Sequence, residues 1–347
     1  MDNNRRKGKA ARVEMGVSIL LISLVGFFCL CQSTQAASSI AEKIIEEAKK
    51  EGEVAFHTSM AIEEAHAVIS RFEERYPFLK VKLTRTGSEG IATRIIMEHR
   101  AKKYGDVLQT VEFSMYTFRK MGILGLYIPA EDRFYPKEFK EQGYWTCSYN
   151  QPYVAVYNTK LVPQDNLPKT YEDLLKPRWK KKMAMEGTKV DWFAGMLQIM
   201  GREKGMKFMR DLSSQDITKR TGHSLIASLV AAGEAELDIN IPSQVVEQIR
   251  HKGAPIDWLA LGPVPGVMVG IGMTAQAPHP NAAKLFVDFM LSHEVQTVLK
   301  DRFFKAVARS DVPQSAKYAE LRVIPVNPSL ADNINEYAKL LRETFSK

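Results

Sequence analysis

Glu53-Val54-Ala55-Phe56-His57-Thr58-Ser59 opens the stretch that decides the fold, and Asp106-Val107-Leu108 closes it. Glu53 to Phe56 reads as a short strand that runs into the polar loop His57-Thr58-Ser59. Ile62, Ala65, Ile69, Phe72 and Tyr76 then recur at steps of three and four, the spacing of a helix with one buried face, and Pro77 stops it. Leu79-Lys80-Val81-Lys82-Leu83 alternates as a half-exposed strand. Gly87-Ser88-Glu89-Gly90 turns into a helix carrying Ile91, Ile95 and Ile96, and Asp106-Val107-Leu108 is the third strand. Strands alternating with helices predict βαβ units, a parallel sheet and right-handed crossovers.

Further along, the same logic returns with different residues. Tyr153-Val154-Ala155-Val156-Tyr157 is a dense strand, and helices are expected around 191–211, 224–232 and 243–252. Between them Glu236-Leu237-Asp238-Ile239-Asn240 reads as a strand. Val267 to Met273 is an apolar, glycine-containing strand, followed by a helix on Ala282, Leu285, Phe286, Phe289 and Met290. Two α/β sets with no linker between them predict two lobes, each a mostly parallel sheet flanked by helices, joined by a hinge of crossing strands. The expected division is 37–148 with 262–310 for the first lobe and 149–261 for the second. A C-terminal helical segment, 311–347, would pack on both. A ligand would sit in the cleft, at strand C-termini and helix N-termini.

Upstream, Arg5, Arg6, Lys7, Lys9 and Arg12 precede an uncharged run from Val17 to Cys31, and small residues follow through Ala36-Ala37. That order reads as a cleavable export signal over residues 1–36. Two of the 3 cysteines fall inside it, so Cys147 has no intramolecular partner and the exported chain must rely on its core. The 347 residues, 45% hydrophobic and 25% charged, suit two globular units and exclude a disordered chain. The excess of 48 basic over 40 acidic residues is spread along the chain without a zinc-finger or RNP-like pattern, so nucleic acid is not an expected partner. No HExxH, CxxC or GxSxG pattern occurs. No catalytic residue, resident metal or cofactor is expected.

Several motifs, taken in order, carry a resemblance. Tyr157-Asn158-Thr159-Lys160 and Leu167-Pro168-Lys169-Thr170-Tyr171-Glu172-Asp173-Leu174-Leu175-Lys176-Pro177-Arg178-Trp179-Lys180 are two of them. Ala232-Gly233-Glu234 and His279-Pro280-Asn281-Ala282-Ala283-Lys284-Leu285-Phe286 are two more. Together they resemble periplasmic substrate-binding proteins of ABC importers, in the subgroup that takes ferric ion, thiamine, phosphonates and sugar phosphates. The resemblance implies an α/β, two-lobed type II periplasmic binding fold. It also implies a monomer in the periplasm that holds a small-molecule ligand and delivers it to a membrane permease. Ferric binders of the subgroup use adjacent tyrosines after a second-lobe strand. Here Leu237-Asp238-Ile239-Asn240-Ile241-Pro242-Ser243 holds none, which counts against iron.

Four loops supply the candidate ligand residues. Thr58 and Ser59 follow the first strand, and Gly87 and Ser88 precede a helix whose free N–H groups favour an anion. Thr188 and Trp192 come from the loop 187–192, where the indole would pack on the ligand. Arg220, Gly222, His223 and Ser224 form the fourth, with Arg220 as a clamp for carboxylate or phosphate. Asn240 ends a strand facing the same cleft. These residues predict a small anionic solute. The alternatives are a cationic solute of polyamine or thiamine type, read from Glu112, Asp191 and Trp192, and a binding protein serving a chemosensory receptor.

Overall fold

The computed structural model describes residues 41–141 and 143–346; the expected export signal, with Cys29 and Cys31, lies outside them. A helix covers 41–51 (α1) and ends at Gly52, whose φ of 72° lies in the left-handed region. The opening unit follows as β1 (Glu53–Thr58), α2 (Ile62–Arg75), β2 (Lys80–Arg85), α3 (Ser88–Arg100), β3 (Val107–Val111) and α4 (Glu112–Lys120). β1 pairs in parallel with both β2 and β3. Buried Ala65, Val68, Ile69 and Phe72 make the inner face of α2. Phe72 meets Phe286 edge-on at 4.9 Å, and Phe286 meets Phe56 of β1 at 4.7 Å. Burying each ring contributes about 1.5–3 kcal/mol, which fixes α2 on the sheet.

A short β4 (Lys140–Glu141) precedes the long β5 (Trp145–Asn158). The second α/β set then contains β6 (Met183–Glu186), α5 (Val190–Met200), α6 (Arg202–Ser213), β7 (Thr218–Arg220), α7 (His223–Ala232), β8 (Leu237–Pro242), α8 (Ser243–Arg250) and β9 (Ile256–Leu259). The helix expected over 191–211 is two helices, divided at Gly201 with φ 79°. β10 (Val264–Met273), α9 (Pro280–Met290) and α10 (His293–Phe303) return to the first set. The C-terminal segment adds α11 (Ala316–Ala319), β11 (Val323–Pro325) and α12 (Ile334–Thr344).

The strand order is β2-β1-β3-β10-β5-β8-β6-β7, with β4 and β9 on β5 and β11 on β10. β5 passes between two bodies. Its Trp145, Cys147 and Tyr149 lie in the core of the first, and its Tyr153, Ala155 and Tyr157 in that of the second. β10 does the same in reverse, with Val267 in the second core and Met268 and Val269 in the first. This is the two-lobed α/β fold with crossing strands. The sheets are less parallel than expected, because every pairing of β5 with a neighbour is antiparallel, as is that of β10 with β3. Those two strands return from the other lobe and run against the βαβ strands. At their crossing a Cβ on Gly272 would stand 2.3 Å from the Tyr144 carbonyl oxygen, so glycine lets the two backbones lie close. Val326, Tyr337, Leu341 and Phe345 of the C-terminal segment pack in the second core. Among the described residues no helix is long and apolar enough to cross a membrane.

Candidate functional site

Parallel strands end where their following helices begin, and four such junctions open on one cavity of about 730 Å³. From the first lobe, the β2–α3 junction contributes Ser88 and Glu89, and the β3–α4 junction contributes Val111, Phe113 and Ser114. From the second, the β6–α5 junction contributes Glu186, Thr188, Lys189 and Asp191, and the β7–α7 junction contributes Thr221, Gly222 and His223. None of α3, α4, α5 and α7 has a side-chain cap on its N-terminus. The helix dipoles favour negative charge there, although in α5 the first-turn Trp192 N–H already donates to Asp191 Oδ1 at 2.7 Å. Gly222 precedes α7 with φ 104°, a conformation that would strain any residue with a side chain.

The expected residues separate into two groups. Ser88, Thr188, Gly222 and His223 line the cavity, and Gly87 is the residue before α3. The others do not line it. Thr58 is fully buried; its hydroxyl donates to Gln109 Oε1 at 2.6 Å and accepts from the Met60 N–H at 2.9 Å. Ser59 donates its N–H to the Gln109 carbonyl, so the β1 loop folds inward onto β3. Trp192 points from α5 into the second core, 2% exposed. Arg220 lies on the surface with Nη1 on the Lys219 carbonyl, and Ser224 is also exposed.

Asn240 is wholly buried on β8. Its Nδ2 donates to the Glu186 carbonyl at 3.0 Å and its Oδ1 accepts from the Glu186 N–H at 2.8 Å. Backbone pairing of β6 with β8 covers Met183 and Ala184, and this side chain continues the ladder to Glu186. Asn240 thereby positions a residue that the sequence reading missed. Glu186 closes the apolar run Met183-Ala184-Met185, and a charge ending a buried strand was the available signal. Its carboxylate accepts from the Thr188 N–H at 3.2 Å and from the Thr188 hydroxyl at 2.9 Å. Ile334, from the start of α12, also lines the cavity and carried no local signal.

The walls are electrostatically uneven. Burial, with Lys189 adding repulsion, pushes the His223 imidazole down to about 3, so it is neutral. Both its ring nitrogens are buried and without a partner among the described residues. Burial raises Asp191, against the pull of Lys189. Glu112, at the start of α4, is fully buried with both carboxylate oxygens unpartnered among the described residues. Burial, then the Asp191 charge, raises it well above the usual carboxylate range. The Tyr153 hydroxyl is raised by burial and then by Asp191, Glu186, Glu112 and Glu89. Among the described residues, no group of three or more His, Cys, Asp and Glu side chains is placed to hold a metal ion.

Residues 118–340 match the family described as bacterial extracellular solute-binding protein. The Sinorhizobium fredii protein named "Probable ABC transporter periplasmic-binding protein y4fP" is 22% identical over 236 residues, covering 65% of this chain and 66% of that one. A Salmonella typhimurium periplasmic protein, provisionally named as 2-aminoethylphosphonate-binding, is 25% identical over 177 residues, 47% of this chain and 51% of its own. The chain thus spans about half to two-thirds of the length of these curated relatives. Among solved structures, iron-bound HitA from Pseudomonas aeruginosa shares the fold with a TM-score of 0.76 at 20% identity, over 84% of this chain and 99% of that one.

Proposed function

The chain belongs to the bacterial extracellular solute-binding family, and from that premise we propose that it is the binding component of an ABC importer. It captures a small anionic solute between its lobes in the periplasm and delivers it to a membrane permease. One observation carries the reading: a single cavity is walled by βα junctions of both lobes. A solute touching both walls binds the closed arrangement better than the open one, and that difference drives closure. The anionic preference rests on the four helix N-termini rather than on Arg220, which lies outside the cavity. The family is one of binding proteins, and the chain has no part in the importer's nucleotide hydrolysis.

Native mass spectrometry of the purified chain tests this. The expected spectrum shows the protein mass plus one small organic molecule, released on mild unfolding. A bare chain whose melting temperature no metabolite extract raises would contradict the reading.

A further inference from the structure

The C-terminal segment is anchored on the second lobe but reaches the first through one side chain. Between β11 and α12 it forms a short 3-10 helix, Pro328–Asn333. On the near side, Asn327 donates its N–H to Gln198 Oε1 of α5 at 2.9 Å, and Gln198 Nε2 donates to the Pro325 carbonyl at 3.0 Å. On the far side, Tyr337 and Leu341 lie in the second core, and Glu336 pairs with Arg202 of α6. Between these anchors the 3-10 helix packs on α4, and Asp332 grips it. Asp332 Oδ1 accepts from Lys120 Nζ at 2.7 Å, and Oδ2 accepts from the Tyr116 hydroxyl at 3.0 Å. Tyr116 and Lys120 stand four residues apart, so one face of α4 presents both donors to a single carboxylate. Lys120, then Tyr116, hold that carboxyl below its usual range. α4 starts at the junction, with Phe113 in the second core, and continues into the first lobe, with Met115 and Phe118 in its core. Ile334, two residues after Asp332, lines the interlobe cavity, whereas Asp332 does not.

We propose that residues 327–334 are a strap of the second lobe that latches onto α4 through Asp332 and biases the empty chain toward the closed arrangement. It rests on the lobe-closure reading above and adds to it a device that lies outside the solute cavity. Parting the lobes about β5 and β10 carries Tyr116 and Lys120 away from a carboxylate fixed on the other lobe. Both hydrogen bonds therefore belong to one arrangement only, and such a contact shifts the equilibrium by its own free energy. Lys189 and Glu89 also span the lobes, but through a single contact at 3.9 Å, whereas Asp332 makes two shorter bonds, one of them to a charged donor. Asp332 and Lys120 are about half exposed, so water limits the bias to a few-fold change in the open-to-closed ratio.

The test is small-angle X-ray scattering of three chains stripped of solute by unfolding and refolding: wild type, Asp332→Ala, and the charge swap Lys120→Asp with Asp332→Lys. Asp332→Ala is expected to raise the open-to-closed ratio about three- to fivefold, read as a larger radius of gyration than wild type. The swap rebuilds the ion pair with its ends exchanged and is expected to return the radius toward the wild-type value. A radius for Asp332→Ala equal to that of wild type, or a swap as expanded as Asp332→Ala, overturns the strap. The closure reading then still stands, provided the small-molecule fraction released from the wild-type chain on unfolding compacts that chain when added back. If that fraction does not compact the wild type, the closure reading itself fails, and the strap with it.

Discussion

Lys189 of the second lobe reaches across the cavity mouth to Glu89 of the first, with Nζ 3.9 Å from Oε1. The pair spans the lobes, yet the Glu89 side chain is 85% exposed and water screens the attraction. Exposed pairs of this kind contribute about 0–1 kcal/mol. Lys189→Ala should therefore move the unfolding free energy of the unliganded chain by no more than about 0.5 kcal/mol, measured by urea titration. A larger loss would make this contact a structural clasp.

Asp238 lies wholly buried on β8, with Oδ1 accepting from the Asn240 N–H and Oδ2 unpartnered among the described residues. Burial, with the Glu186 charge adding to it, raises its carboxyl to about 7. The folded chain holds this proton more tightly than the unfolded one. The associated stability is complete below the unfolded value of 3.8 and is lost as pH rises through about 7. Asp238→Asn should stabilise the chain by on the order of 1–3 kcal/mol more at pH 8 than at pH 4. Equal effects at both pH values would show that the carboxyl is not protonated in the fold.

His223 has the opposite sign. Its folded value near 3 lies below the ordinary 6.5, so folding favours the neutral ring. The stability is complete above pH 6.5 and declines as pH falls toward 3, where the unfolded chain takes up the proton first. Urea midpoints of the unliganded wild-type chain should drop more steeply between pH 6.5 and 4 than those of His223→Asn. Parallel profiles would place the acid sensitivity elsewhere.

Lys305 and Glu64 form a buried pair in the first lobe, Nζ to Oε1 at 2.9 Å, with the ammonium 4.4 Å from the centre of the Tyr149 ring. Removing one partner strands a charge, so Lys305→Met should cost about 3–5 kcal/mol. Adding Glu64→Gln should recover at least half of that. A double variant as unstable as the sum of its single changes would mean the two groups act independently.

The fold was legible because it follows from short-range spacing. The α2 face through Ala65, Ile69 and Phe72, and the strands around Val54, Val81 and Val107, were set by local periodicity. The facing of individual side chains at the site was not. Thr58 and Asn240 are ordinary polar strand ends until Gln109 and the Glu186 backbone claim them. Arg220 and Glu186 stand opposite each other on β7 and β6, but Arg220 is exposed on the outer strand while Glu186 is buried. Ile334 reaches the cavity only because the C-terminal segment returns past β10. These placements depend on sheet order and distant packing, which no local window contains.

Arg220→Ala gives the placement a direct check. With the guanidinium on the surface, the substitution should change affinity for whatever co-purifies with the chain by less than about threefold, under 1 kcal/mol. A loss of 100-fold would put Arg220 back in contact with the solute.

The proposed closure of the lobes on a solute can be read directly by small-angle X-ray scattering. The chain stripped of ligand by unfolding and refolding should give a larger radius of gyration than the same sample after adding its co-purified small molecule. Identical profiles with and without that molecule, at saturating concentration, would contradict the account.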